Sequence, residues 1–234
     1  MWQFNVLIGA HIVTGTLGAV SFWIPVLSQK GGRNHRRWGR VFFVAMLVTA
    51  CLAICMSLMS LRWPLETHPL MQDVPLIRGV FGWMMLYLGI LTINLAWYSW
   101  LCVRNVRNHR GNLEWRNQGL QWILLLASLN CAWQGWKIDQ TLMMAFSVVG
   151  FATVATNLRF MYKASPRKHD WALEHIKGGI GAGISVYTAF FAFGSVRLIP
   201  ELALHPGLWS IPLGTGLALI LYHQASVSRA ARQR

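Results

Sequence analysis

Hydrophobic and polar positions alternate along this chain in long blocks rather than in short periods. Apolar runs of about 20 residues, the length needed to cross about 30 Å of hydrocarbon as a helix, recur seven times. They cover Phe4–Leu27, Val41–Leu61, Ile77–Val103, Gly119–Trp136, Gln140–Met161, Trp171–Arg197 and Leu208–Ala225. The pattern predicts an all-α polytopic membrane protein with seven transmembrane helices. The fourth run is the shortest, and Trp136-Lys137-Ile138-Asp139 turns it tightly into the fifth. If that hairpin fails to span, five crossings remain and neither terminus changes side. No repeat of fixed period and no break in composition divides residues 1–234, so a single transmembrane domain is expected.

The polar blocks between the runs set the orientation. Seventeen of the 21 Lys and Arg residues fall on one side: the loops after runs one, three and five, the C-terminal tail, and Lys177. Arg62, Arg78, Lys137 and Arg197 fall on the other. Positive loops stay cytoplasmic, which places the N-terminus outside and the C-terminus inside the cell's inner (plasma) membrane. The first run lacks a preceding cationic segment and ends in Ser28-Gln29-Lys30, so it reads as an anchor rather than a cleaved signal.

Composition agrees with lipid as solvent. The 234 residues are 55% hydrophobic and 12% charged, against about a quarter charged in soluble domains. Thirteen tryptophans suit the membrane–water boundary. A net charge of +14 would suggest nucleic acid as partner, but the cations are dispersed over loops and serve topology instead. Besides the bilayer itself, anionic lipid headgroups, a second copy and a membrane partner are the candidate partners. Cys51, Cys55 and Cys131 lie within runs and Cys102 at the end of one, so no disulfide framework is implied.

Chemistry would have to come from polar groups held in or near hydrocarbon. Taken by depth, His35, His169, His175 and His223 gather at the cytoplasmic face with Asp170 and Glu174 beside them. Such a set suits a divalent metal at His35, His175, Glu174 and Asp170, or a haem through His11, His175 or His223. The alternative is histidines that satisfy helix ends or contact headgroups. His11 lies within the first run, with Gly15 and Gly18 on nearly the same face leaving room beside it. Cys51, Cys55 and Met59 recur every four residues, a soft-ligand face for copper or an ordinary packing face. Gly178-Gly179-Ile180-Gly181-Ala182-Gly183 reads as tight helix packing or a groove for a flat cofactor. Asn94, Asn130 and Asn157 read as interhelical hydrogen-bonding groups. His68, His109 and His205 receive no role. Phosphate-loop and nucleophile-elbow motifs do not occur.

One stretch carries a resemblance. His11-Ile12-Val13-Thr14-Gly15-Thr16-Leu17-Gly18, then Lys30-Gly31-Gly32, then His35-Arg36-Arg37-Trp38-Gly39-Arg40-Val41 and Met46 resembles a family of uncharacterised bacterial membrane proteins. Its pattern is a membrane His, spaced glycines, a Lys-Gly loop and a His-Arg-x-x-Gly-Arg entry to the second helix. A later signature matches Trp171, His175, Gly179 and Thr188-Ala189-Phe190; where the family often carries Met, this chain has Lys177-Gly178-Gly179. The resemblance implies that His11, His35 and His175 matter and supplies no substrate.

Three functions follow as expectations: a metal- or haem-binding protein using histidines at the cytoplasmic face (a redox enzyme or metal-dependent hydrolase); a small-solute or soft-metal transporter; and a non-catalytic assembly or partner subunit.

Overall fold

The computed structural model describes residues 2–191 and 206–232. The expected end of the sixth run, with Arg197, and also His205 and Arg234, lie outside the described residues.

Every regular element among the described residues is helical. Seven long helices appear: α1 (Trp2–Leu27), α2 (Arg33–Arg62), α3 (Val74–Arg104), α4 (Trp115–Lys137), α5 (Thr141–Met161), α6 (Asp170–Ala189) and α7 (Pro206–Arg232). Each apolar run therefore nucleates one helix. Four of them, α1, α2, α3 and α5, are long and apolar enough to cross a membrane, and the protein is membrane-embedded. The others carry more polar side chains: Arg116, Asn117, Gln118 and Gln121 open α4, and Asp170, Glu174, His175 and Lys177 open α6.

The chain packs as two compact units, residues 1–94 with 120–154 and residues 95–119 with 155–234. In the first unit α1 lies against α2 through small residues. A Cβ at Gly18 would stand 2.9 Å from Met46 Sδ, and one at Gly15 would stand 3.6 Å from Thr49 Cγ2. Phe22 and Phe42 pack below, ring centroids 5.5 Å apart. The first turns of α3, Ile77–Met84, are wound wide, and the Gly82 there admits Leu61 of α2.

The α4–α5 hairpin also belongs to this unit. Asp139 adopts φ +54°, the left-handed turn that ends helices, and the Gln140 N–H returns to the Gly135 carbonyl at 2.8 Å. Tyr87 of α3 donates to the Phe146 carbonyl of α5 at 2.6 Å. Asn94 donates to the Leu120 carbonyl of α4 at 3.2 Å, the interhelical role expected of it.

The second unit centres on Tyr98, Cys102, Phe160 and Met161, covered by Leu113, Leu158 and Trp171. Here α6 meets α3 at its glycines. A Cβ at Gly178 would lie 2.9 Å from the Leu95 carbonyl oxygen, and one at Gly181 would lie 3.1 Å from a Leu95 methyl. The glycine run is thus a close helix contact, the first of its two expected roles. On α7, Gln224 donates to the Leu173 carbonyl at 3.1 Å.

Candidate functional site

Three of the histidines expected to matter share one local chemistry. His11 Nδ1 lies 3.1 Å from the Thr49 carbonyl oxygen of α2. His35 Nδ1 lies 3.0 Å from the Pro25 carbonyl of α1. His175 Nδ1 lies 2.9 Å from Ser99 Oγ and 3.1 Å from the Ser99 carbonyl of α3. A carbonyl can only accept, so Nδ1 of His11 and His35 donates its proton, as does that of His175 when the Ser99 hydroxyl proton goes to the His175 carbonyl. In the neutral ring the lone pair is then on Nε2. Metal-ligating histidines are anchored in this way, one ring N–H on a carbonyl and the other nitrogen toward the metal.

Around His11, Thr49 Oγ1 donates to Thr14 Oγ1 at 2.9 Å, and Thr14 Oγ1 returns to the Ala10 carbonyl at 2.9 Å. Met46 and Thr49 of α2 fill the face of Gly15 and Gly18. The room expected beside His11 on that face is therefore used for helix packing.

His35 belongs to a helix cap. The last carbonyls of α1 have no intrahelical partner, and the Lys-Gly loop supplies donors to them. Ser28 Oγ donates to Ile24 O at 2.5 Å. Lys30 Nζ donates to Pro25 O at 3.1 Å and also to Val26 O. Gly31, at φ +74°, takes the left-handed turn that reverses the chain, and His35 closes on Pro25 from the first turn of α2. The spacing of Lys30, Gly31, Gly32 and His35 is thereby explained as a cap.

His175 sits in a polar cluster of the second unit. Ser99 Oγ donates to the His175 carbonyl at 2.9 Å, reciprocating the imidazole bond to Ser99 O. One residue earlier, Glu174 accepts from Tyr98 OH at 2.7 Å and pairs with Lys177 at 2.5 Å. Lys177 Nζ also donates to Thr156 Oγ1 at 3.1 Å and stands 5.2 Å from the Tyr98 ring centroid, within cation–π range. Glu174 and Lys177 keep only 19% and 20% of their side-chain surface, so this ion pair is largely desolvated.

Asp170 opens α6, accepting from Lys163 Nζ at 2.5 Å and from the Arg167 N–H at 2.9 Å. Burial pushes its carboxyl upward, but the Lys163 bond, the Arg167 N–H and both cations outweigh this and hold it below the usual range. His223 packs edge-on to Tyr222 at 5.2 Å on α7. Among the described residues no three His, Cys, Asp or Glu side chains gather as a metal group. Cys51 and Cys55 are exposed, whereas Cys131 is buried with its Sγ 3.6 Å from the Met143 carbonyl.

Sequence reasoning missed Tyr98, Ser99 and Thr156, and read Lys177 only as a topogenic charge. The i,i+3 spacing of Glu174 and Lys177 was a usable signal. Tyr98 and Ser99, 76 residues from their partners, gave none. His68, given no role, stacks on Phe81 at 4.1 Å and meets Phe4 at 5.8 Å; burial lowers its pKa, the backbone bond at Pro64 opposing.

No family model, no curated protein and no solved structure matches the chain.

Proposed function

We propose that this is a seven-span plasma-membrane protein, N-terminus out and C-terminus in, that binds haem or a metal ion through histidine Nε2 atoms. The reading includes membership of the bacterial membrane family whose motifs it resembles. One observation carries it: His11, His35 and His175 are each anchored by Nδ1–H on a backbone carbonyl of a neighbouring helix, which turns the lone pair to Nε2. His175 is the principal ligand in this reading, because a desolvated polar cluster adjoins it. Glu174 and Asp170, each engaged by a lysine, serve as positioning residues rather than ligands.

The same bonds favour a second reading, in which the histidines only staple helices and the protein is a non-catalytic assembly or partner subunit. Substitution by Asn separates the two. Its amide nitrogen takes the place of Nδ1 and keeps the carbonyl bond, while Nε2 is lost. Protein purified in detergent is assayed by absorption spectrum and elemental analysis. Wild type carries stoichiometric haem or metal, and His175→Asn folds but loses it. A colourless, metal-free wild type overturns the haem or metal reading.

A further inference from the structure

All exposed positions of α2 apart from Asn34 fall on one stripe of the helix. Its N-terminal end is Arg33, Arg36, Arg37 and Arg40, at i, i+3, i+4 and i+7. The same stripe continues as Val44, Val48, Cys51, Cys55 and Leu58, all exposed, and ends at exposed Arg62. Arg40 to Leu58 measures about 27 Å at about 1.5 Å per residue, close to the thickness of about 30 Å of bilayer hydrocarbon. The apolar part thus faces acyl chains while the arginines stand at headgroup level.

Those arginines are electrostatically misplaced by the chain alone. The N-terminus of a helix carries partial positive charge and favours anions, yet α2 has no acidic residue in its first turn and no side-chain cap at Gly32. Among the described residues none of the four is in an ion pair, the salt bridges there being Lys163–Asp170 and Lys177–Glu174. With 7 acidic against 21 basic residues, the chain cannot neutralise itself. The counter-charge has to come from outside.

We propose that the outward face of α2 is a binding site for an anionic phospholipid, whose headgroup phosphate is held by Arg33, Arg36, Arg37 and Arg40 and whose acyl chain lies along Val44–Leu58. Guanidinium forks bind phosphate oxygens in pairs, and an apolar stripe directly beneath them selects a lipid over free phosphate. A second copy does not fit, because parallel pairing through this face would set arginines against arginines.

The test uses the full chain, purified in neutral detergent and titrated with phosphatidylglycerol, phosphatidylcholine or inorganic phosphate, with retained lipid counted by native mass spectrometry and thermal stability followed alongside. Phosphatidylglycerol is expected to be retained and to raise the melting temperature; phosphatidylcholine and inorganic phosphate are not. Arg→Gln at positions 33, 36, 37 and 40 is expected to weaken retention about fivefold per arginine. The same change at Arg104, Arg107, Arg110 and Arg159 leaves it unchanged. Because losing four topogenic charges can misinsert the chain, R33K/R36K/R37K/R40K is the second variant. It keeps every charge and loses the paired phosphate grip, so retention falls below wild type. Equal loss from both glutamine sets, or equal retention of phosphatidylcholine, overturns the proposal. So does an equal stabilisation by inorganic phosphate.

Discussion

Tyr98, Glu174 and Lys177 show how much a membrane-embedded protein invests in one charge. A carboxylate and an ammonium removed from water need mutual pairing and further hydrogen bonds to be tolerated. Tyr98 OH supplies one to Glu174 and Thr156 accepts one from Lys177. Tyr98→Phe should cost about 1–2 kcal/mol in unfolding from detergent. Glu174→Gln should cost more, because it leaves Lys177 without its counter-ion, and adding Tyr98→Phe to it should cost little further, since both act on one network. Additive losses in that double-mutant cycle would contradict the network. His68 gives a pH signature at the same scale. Its folded pKa lies below the ordinary value, so on acidification the unfolded chain takes the proton first. The stability from neutral His68 is complete above about 6.5 and declines below it. The melting temperature of wild type should therefore fall between about pH 7.5 and about pH 5.5 by more than that of His68→Gln, a flattening read directly from paired melts.

The helices were largely legible in the sequence, since an apolar run of sufficient length in lipid has only one way to satisfy its backbone. The runs at Phe4–Leu27 and Gln140–Met161 became helices with nearly the same bounds. What periodicity leaves out is which glycine meets backbone and which meets a side chain. A Cβ at Gly178 would press on the Leu95 carbonyl at 2.9 Å, whereas at Gly18 it would press on the terminal sulfur of Met46 at the same distance. A methionine yields by rotation and a helix backbone does not. Gly178→Ala should thus destabilise by about 1–3 kcal/mol and Gly18→Ala by less than about 1 kcal/mol; thermal melts of the two variants in one detergent check the order. The Lys30–His35 motif was legible as a pattern but not as a cap, because nothing in sequence spacing says that Ser28, Lys30 and His35 converge on carbonyls of α1. The histidine cluster was read from shared depth alone. Depth does not fix azimuth, and three of the side chains gathered by depth, His175, Glu174 and Asp170, are engaged with Ser99, Tyr98 and two lysines.

At the scale of the whole molecule, four helices are apolar enough to cross a bilayer on length and composition, and the seven-span arrangement asks α4, α6 and α7 to cross as well. The polar opening of α4 is then an interfacial segment, with Gln121 and Asn117 buried inside the protein rather than presented to lipid. The basic loops, the α2 arginine face and the anchored histidines all take their sidedness from this one arrangement. The most direct measurement is labelling of single cysteines in intact cells by a membrane-impermeant maleimide, in a background with the four native cysteines replaced. Gln29→Cys, in the loop between α1 and α2, should react only after permeabilisation. Asp139→Cys, at the tip of the α4–α5 hairpin, should react in intact cells. Reaction at Gln29 from outside, or protection at Asp139, would contradict the seven-span, N-out arrangement.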